Sequence, residues 1–233
     1  ISSLILLPVN LGFVVLLNTL ESFVALLGLS RTNRKRIKDK LTKFSLDVRY
    51  WAQSVLVTAY GWPKSHLIAA SVVILLGFAV KVFYLITMPI SYDEAMTYLF
   101  FTKKGIWTSM TRYPAPNNHI LHSILTNITY YFPFSQTVNL RLPNLLVNTL
   151  SGVILFYTFS KLLNSKIALF LLAGYSFLFP VLYYGYCSRG YSLVFLAFII
   201  CFYAAVQLIQ TESYNITFKK YLILLSGGAI VGF

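Results

Sequence analysis

The stretch His119–Phe132, HILHSILTNITYYF, decides how the rest of the chain is threaded. It is apolar enough to be taken for a membrane span, yet shorter than the roughly 20 residues that cross a hydrocarbon core. It also carries His119, His122, Ser123, Thr126 and Asn127. Wound as a helix, it puts Leu121, Ile124, Ile128 and Tyr131 on one face and turns His119, His122 and Thr126 towards another. That division predicts an amphipathic helix lying in the membrane interface instead of crossing it. The basic residues supply an independent check. If the stretch crosses, Lys161, Lys166, Lys219 and Lys220 fall on the side opposite the cluster Arg31, Arg34, Lys35, Arg36, Lys38, Lys40 and Lys43. If it lies on the surface, all of them share one side, the arrangement favoured by the excess of Lys and Arg in cytoplasmic loops.

Working outward from this choice, apolar runs predict spans over Leu4–Leu29, Leu67–Ile90, Leu142–Leu163, Ile167–Tyr186 and Tyr191–Ile209, with another opening at Tyr221. The fold class is therefore all-α, a polytopic transmembrane helical protein with interfacial amphipathic helices in its first external loop. Composition agrees: 58% of the 233 residues are hydrophobic and only 11% charged, against roughly a quarter charged in a soluble domain. The formal net charge of +13 sits beside the apolar runs, so it reads as membrane topology and excludes nucleic acid as a partner. The chain opens inside one apolar run and stops inside another, which predicts a piece of a longer protein. Cys187 and Cys201, if they lie on or beside one helix, are about 20 Å apart, too distant to bridge, and read as small apolar fillers.

Residues 1–64 form a first module, a span followed by the basic cluster. Ile37, Leu41, Phe44, Val48, Trp51 and Val55 follow at spacings of four and three, one apolar stripe of a helix. A basic amphipathic helix of this kind lies along the cytoplasmic membrane surface or docks a protein partner. Residues 65–233 form the second module. In it the topology gathers chemistry-bearing residues on the outer face: Asp93 and Glu94 after the Leu67–Ile90 span, Asn118 and His119 at the start of the interfacial helix, Arg141 at the outer end of one span, and Arg189 with Tyr191 at the turn between two others.

Each of these has a structural explanation beside the functional one. Ser91-Tyr92-Asp93-Glu94 matches a capping box, with Ser91 as N-cap and Glu94 at the third helical position. Asp93 falls in the first turn, where the helix dipole favours a carboxylate. Asn118 is placed to cap the interfacial helix, with His119 projecting from its first turn. Arginines at span ends commonly snorkel to headgroups, but a guanidinium also matches a phosphate bidentately. Tyr183, Tyr184, Tyr186 and Tyr191 form either an aromatic belt or platforms for a sugar ring. Lys81 and Glu21 lie within predicted spans, where ionisable residues are functional candidates by default.

Four motifs in order, Ser91-Tyr92-Asp93-Glu94-Ala95, Pro116-Asn117-Asn118-His119-Ile120-Leu121, Arg141-Leu142-Pro143-Asn144-Leu145-Leu146 and Ser188-Arg189-Gly190-Tyr191-Ser192-Leu193, resemble the N-terminal part of the GT-C glycosyltransferases, in the branch of protein O-mannosyltransferase-like and aminoarabinose-transferase-like enzymes. The resemblance covers about Ser65 to Phe233. It implies an inverting transfer from a polyprenyl-phosphate sugar to a glycan, lipid or protein acceptor, in the plasma or inner membrane with the site extracytoplasmic. It further implies Asp93 as the base for the acceptor hydroxyl, Glu94 as a helix cap or as the helper of that base, and Asn118, His119 and Tyr191 as the lining. Arg189 and Arg141 would hold the departing lipid phosphate. Some relatives use a divalent metal, for which Asp93 and His119 are the residues that could supply ligands; no other cofactor is implied. The chain has Cys187-Ser188 where many relatives place an acid before the fourth-motif Arg. Two further readings stand beside the enzyme: a non-catalytic GT-C-like subunit or scaffold of a larger assembly, and a transporter or channel subunit built on paired intramembrane charges.

Overall fold

The computed structural model describes residues 57–112, 118–210 and 221–228, with scattered positions between 35 and 55. The predicted span Leu4–Leu29, Glu21 and most of the basic cluster lie outside the described residues. The chain divides after Trp62 into two compact units. In the first, the described positions from Lys35 to Tyr60 are helical. All that follows concerns the second.

Among the described residues of this unit there are only helices and turns. The order is α1 (Lys64–Thr87), α2 (Tyr92–Phe100), a 3₁₀ turn (Thr102–Lys104), α3 (Ile106–Thr111), α4 (Ile120–Thr129), α5 (Gln136–Leu162), α6 (Ser165–Phe177), α7 (Phe179–Tyr186) and α8 (Tyr191–Ile209), with further helix over 221–228. Three of them, α1, α5 and α8, are long and apolar enough to cross a membrane. The bent pair α6–α7 makes a fourth if counted as one span. Helix α5 is central and packs against α1, α4, α6, α7 and α8.

The polarity of the unit is inverted relative to a water-soluble protein. Its largest fully buried side chains include Arg141, His122, Glu94, Asn144 and Asn148. Its exposed side chains on α1 include Ile68, Leu75, Phe83 and Ile86, each at least 60% exposed. Helix α4 shows the inversion most sharply: its buried residues are His122, Ser123, Thr126, Asn127 and Thr129, while Ile120, Leu121 and Ile128 are exposed. A chain solvated by hydrocarbon keeps its polar groups together inside, where each must find a partner. At 10 residues, about 15 Å long, α4 is half a membrane thickness. Both its ends are tied to one end of the bundle. Asn118 donates to the carbonyls of Ser109 and Arg112, and Thr129 donates to the Asn139 carbonyl on α5.

Three expectations need correcting. The span predicted from Leu142 begins at Gln136, so Arg141 and Pro143 lie inside the helix. Pro143 has no N–H for the Asn139 carbonyl one turn back, and the Thr129 hydroxyl takes that carbonyl at 2.7 Å. The continuous span predicted over Ile167–Tyr186 is broken at Leu178 with a 60° bend. Pro180 causes the break, since it can neither donate to the preceding turn nor fit against its carbonyls. Asn118 does not cap α4: His119 occupies the N-cap position with no side-chain bond, and Asn118 Oδ1 instead accepts from the Ser123 hydroxyl at 2.8 Å.

Candidate functional site

The site grows from the start of α2. Ser91 and Glu94 form the capping box in full: the Ser91 hydroxyl accepts from the Glu94 N–H, and the Ser91 N–H donates to Glu94 Oε2 at 3.0 Å. The box leaves Glu94 wholly buried and Asp93, its neighbour, with a side chain 55% exposed. Adjacent carboxylates thus point into opposite environments.

Glu94 meets Arg141 in a bidentate pair at 2.7 Å for both contacts. The remaining Arg141 donors reach the carbonyls of Leu85, Met88 and Pro89, each at 2.9 Å. A guanidinium has five N–H groups, and all five are engaged. Arg141 therefore stitches the end of α1 to the start of α2, satisfying carbonyls a helix terminus would otherwise leave bare, and no donor remains for a phosphate. Burial alone would push the Glu94 carboxyl up. The hydrogen bond from Arg141 and the N–H groups of Ser91 and Ser188 outweigh it and hold the carboxyl below its ordinary value.

The turn between α7 and α8 is gripped from three sides. From α2, Glu94 Oε1 accepts the Ser188 N–H at 2.8 Å. From α5, Asn144 Nδ2 donates to the carbonyls of Tyr184, Cys187 and Arg189. From α4, His122 Nε2 bonds the Ser188 hydroxyl at 2.9 Å. Burial, reinforced by His119 and Arg189, lowers the His122 ring to about 3, so it stays neutral. His119 packs closely against Gly190, where an added Cβ would come within 2.5 Å of its ring. Only glycine allows this approach.

Against this framework a short list of groups comes together. Arg189 Nη2 lies 3.8 Å from Asp93 Oδ2, a loose ion pair beyond hydrogen-bonding distance. The same guanidinium stands 5.9 Å from the centre of the Tyr191 ring. Tyr191 meets Tyr184 at 4.2 Å and the edge of His119 at 5.3 Å. His119 Nε2 and His122 Nδ1 are buried without a hydrogen-bond partner. Burial and the nearby Arg189 lower the His119 ring, with Asp93 opposing them. The arrangement offers a half-exposed carboxylate, a guanidinium beside it, two tyrosine faces and a neutral imidazole.

Of the residues singled out in the sequence, the structure brings Asp93, His119, Arg189 and Tyr191 together. It places Glu94 and Arg141 beneath them as a buried clamp, and Asn118 in the α3–α4 junction. His122, Asn144 and Ser188 complete the clamp and were not singled out for it. Among the described residues, no group of three or more His, Cys, Asp or Glu is placed to hold a metal ion. Among the described residues Asp93 and His119 make two donors, and the adjacent guanidinium opposes a cation there, so this pair does not fit a divalent metal. Cys187 and Cys201 are free thiols. Compared with known proteins, the chain matches no family model, no curated protein and no solved structure.

Proposed function

We propose that this chain is part of a polytopic membrane glycosyltransferase of the GT-C kind, moving a sugar from a polyprenyl-phosphate donor to an acceptor hydroxyl on the extracytoplasmic face. One observation carries the reading: Asp93 and Arg189, from motifs far apart in sequence, meet at 3.8 Å above a fully buried polar clamp. In the reaction, the acceptor oxygen attacks the anomeric carbon and gives its proton to Asp93. The bond from that carbon to the lipid phosphate breaks, and Arg189 stabilises the charge gathering on the phosphate. Tyr184 and Tyr191 offer ring faces to the sugar, and His119 Nε2 offers a bond to one of its hydroxyls. Glu94, expected either to cap its helix or to assist chemically, acts in this reading by holding Asp93 and Ser188 in place. Arg141 holds the helices, and the phosphate falls to Arg189. No step runs through a metal.

The orientation follows from the threading of the sequence, in which Lys161, Lys166, Lys219 and Lys220 share the cytoplasmic side with the basic cluster between Arg31 and Lys43. Lys64, Lys161 and Lys166 are exposed at the end of the bundle opposite the site. At the site end Arg141 is neutralised by Glu94 and Arg189 stands beside Asp93, while Lys103, Lys104 and Arg112 are exposed. A second reading, a non-catalytic GT-C-like subunit, has in its favour that Glu94 and Arg141 are wholly taken up in structure.

The test is sugar transfer in membranes from cells carrying the full-length protein, unaltered or Asp93→Asn, at matched expression. Consumption of polyprenyl-phosphate sugars should fall by roughly 10²–10⁴-fold in the variant. Equal consumption by both proteins removes Asp93 as the base. No consumption by either, across several donors, transfers the argument to the non-catalytic subunit.

A further inference from the structure

The end of the bundle that carries the site also carries basic residues which the site does not use. Lys103, Lys104 and Arg112 are exposed and flank the short helix α3. Between them Ile106, Trp107 and Met110 are exposed as well, Trp107 at 75%. The opposite side of α3 is fixed by polar bonds. Ser109 is fully buried and accepts from Asn127 Nδ2 at 2.8 Å, and its carbonyl accepts from Asn118 Nδ2 at 2.8 Å. The helix is thus held rigidly on α4 by its polar side and presents an apolar strip edged with cations.

Two features of this strip point to one occupant. Helix α3 packs on the inverted helix α4, whose Ile120, Leu121 and Ile128 face outward and whose polar groups have all turned inward. Its cations lie in a short connection on the face where the positive-inside bias works against basic residues. Asp93 is the one exposed acid between Ser91 and Arg112, and it faces Arg189. Three exposed cations around a tryptophan, none in an ion pair among the described residues, are complementary to anionic headgroups above a hydrocarbon boundary.

We propose that α3 with its flanking basic residues is a membrane-surface anchor that selects anionic phospholipids in the leaflet on the site's side. Trp107, Ile106 and Met110 enter the interfacial region, and Lys103, Lys104 and Arg112 contact lipid phosphates around them. The inference rests on the membrane orientation given above but not on the sugar-transfer chemistry. Loss of the enzyme reading would leave it standing.

The experiment uses the full-length protein in lipid nanodiscs, with every tryptophan except Trp107 replaced by phenylalanine. Quenching of Trp107 is compared between brominated phosphatidylcholine and brominated phosphatidylglycerol at equal content. The glycerol lipid should quench about twofold more strongly, since the cations concentrate it locally. In the triple variant Lys103→Gln, Lys104→Gln, Arg112→Gln, the ratio should return to about one with quenching by the choline lipid unchanged. The unchanged choline signal shows that the variant is still folded and seated. Equal quenching by both lipids in the unaltered protein overturns the selectivity. Quenching by aqueous iodide but by neither lipid overturns the anchor. Protection from all three quenchers assigns the strip to a protein partner and overturns it too.

Discussion

Where α1 gives way to α2, Glu94, Arg141, Ser188, His122 and Asn144 are each at most 1% exposed, and together they join α1, α2, α4, α5 and the turn before α8. At the other end of the same helices the fastening is of another kind. Asn164 caps its own helix, His66 meets the Ser165 hydroxyl at 2.7 Å, and Lys161 reaches the Tyr203 hydroxyl in an exposed contact. Apolar packing does the rest there, with Ala168 and Leu172 fully buried. Polar glue in a helical membrane protein is costly unless every group is satisfied. A buried charged network fixes one arrangement of the helices, whereas apolar packing tolerates small slips. The end where geometry is specified most tightly is the end that sets the half-exposed Asp93 beside the buried Arg189. This is how a binding constellation is made rigid, by a supporting layer that touches no substrate itself.

The comparison predicts first that the clamp is indispensable to the fold. Arg141→Leu strands the Glu94 carboxylate in a buried position and should destabilise the protein by about 3–5 kcal/mol, measured by unfolding in bicelles or mild detergent. Adding Glu94→Leu should recover part of that loss, because the uncompensated charge is gone. Full recovery does not follow, since the carbonyls of Leu85, Met88 and Pro89 and the Ser188 N–H still lack partners. A cost below about 1 kcal/mol for Arg141→Leu would mean that the two ends are fastened alike.

A smaller effect should appear with acid, again at one end only. The His122 ring is held near 3 in the folded protein against an ordinary value of 6.5. Between those limits the unfolded chain takes up a proton that the folded chain refuses. Stability is therefore complete above about pH 6.5 and falls as the pH drops towards 3. From pH 7 to pH 5 the loss is about 2 kcal/mol, and His122→Asn should flatten that part of the profile. A slope unchanged by the substitution would place the acid-sensitive group elsewhere.

How much of this could be read beforehand divides along the same line. Local patterns were legible. Ser91 to Glu94 form the capping box their spacing predicts, and Tyr191–Ile209 is a helix over the predicted limits. The polar and apolar faces of His119–Phe132 separate as drawn, with the polar one turned into the protein. Partnerships across long separations were not legible. Glu94 and Arg141 are 47 residues apart, and nothing beside either names the other. Asn118 is a good capping residue by type, but the carbonyls of Ser109 and Arg112 compete for it and win. Hydropathy runs unbroken through Leu178, so only Pro180 marks the bend. One usable signal went unread: Arg141, Asn144 and Asn148 recur at three and four residues on an otherwise apolar helix. Such a stripe has to be buried and satisfied, and it identifies α5 as the helix that organises the site.

The smallest effect belongs to the opposite end. The Lys161 ammonium donates to the Tyr203 hydroxyl at 2.8 Å and stands 5.4 Å from that ring, a well-formed contact by geometry. It is nevertheless exposed, as a snorkelling lysine at a membrane boundary is. Solvent screens the charge, and ordering a long side chain offsets most of what the contact contributes. Lys161→Met should therefore change stability by no more than about 0.5 kcal/mol, in the same unfolding measurement used for Arg141. The ratio between the two substitutions is the sharpest form of the comparison, because both residues sit on α5 and both make short polar contacts. If Lys161→Met costs as much as Arg141→Leu, burial is not what distinguishes the ends, and the rigidity argued for the site loses its physical basis.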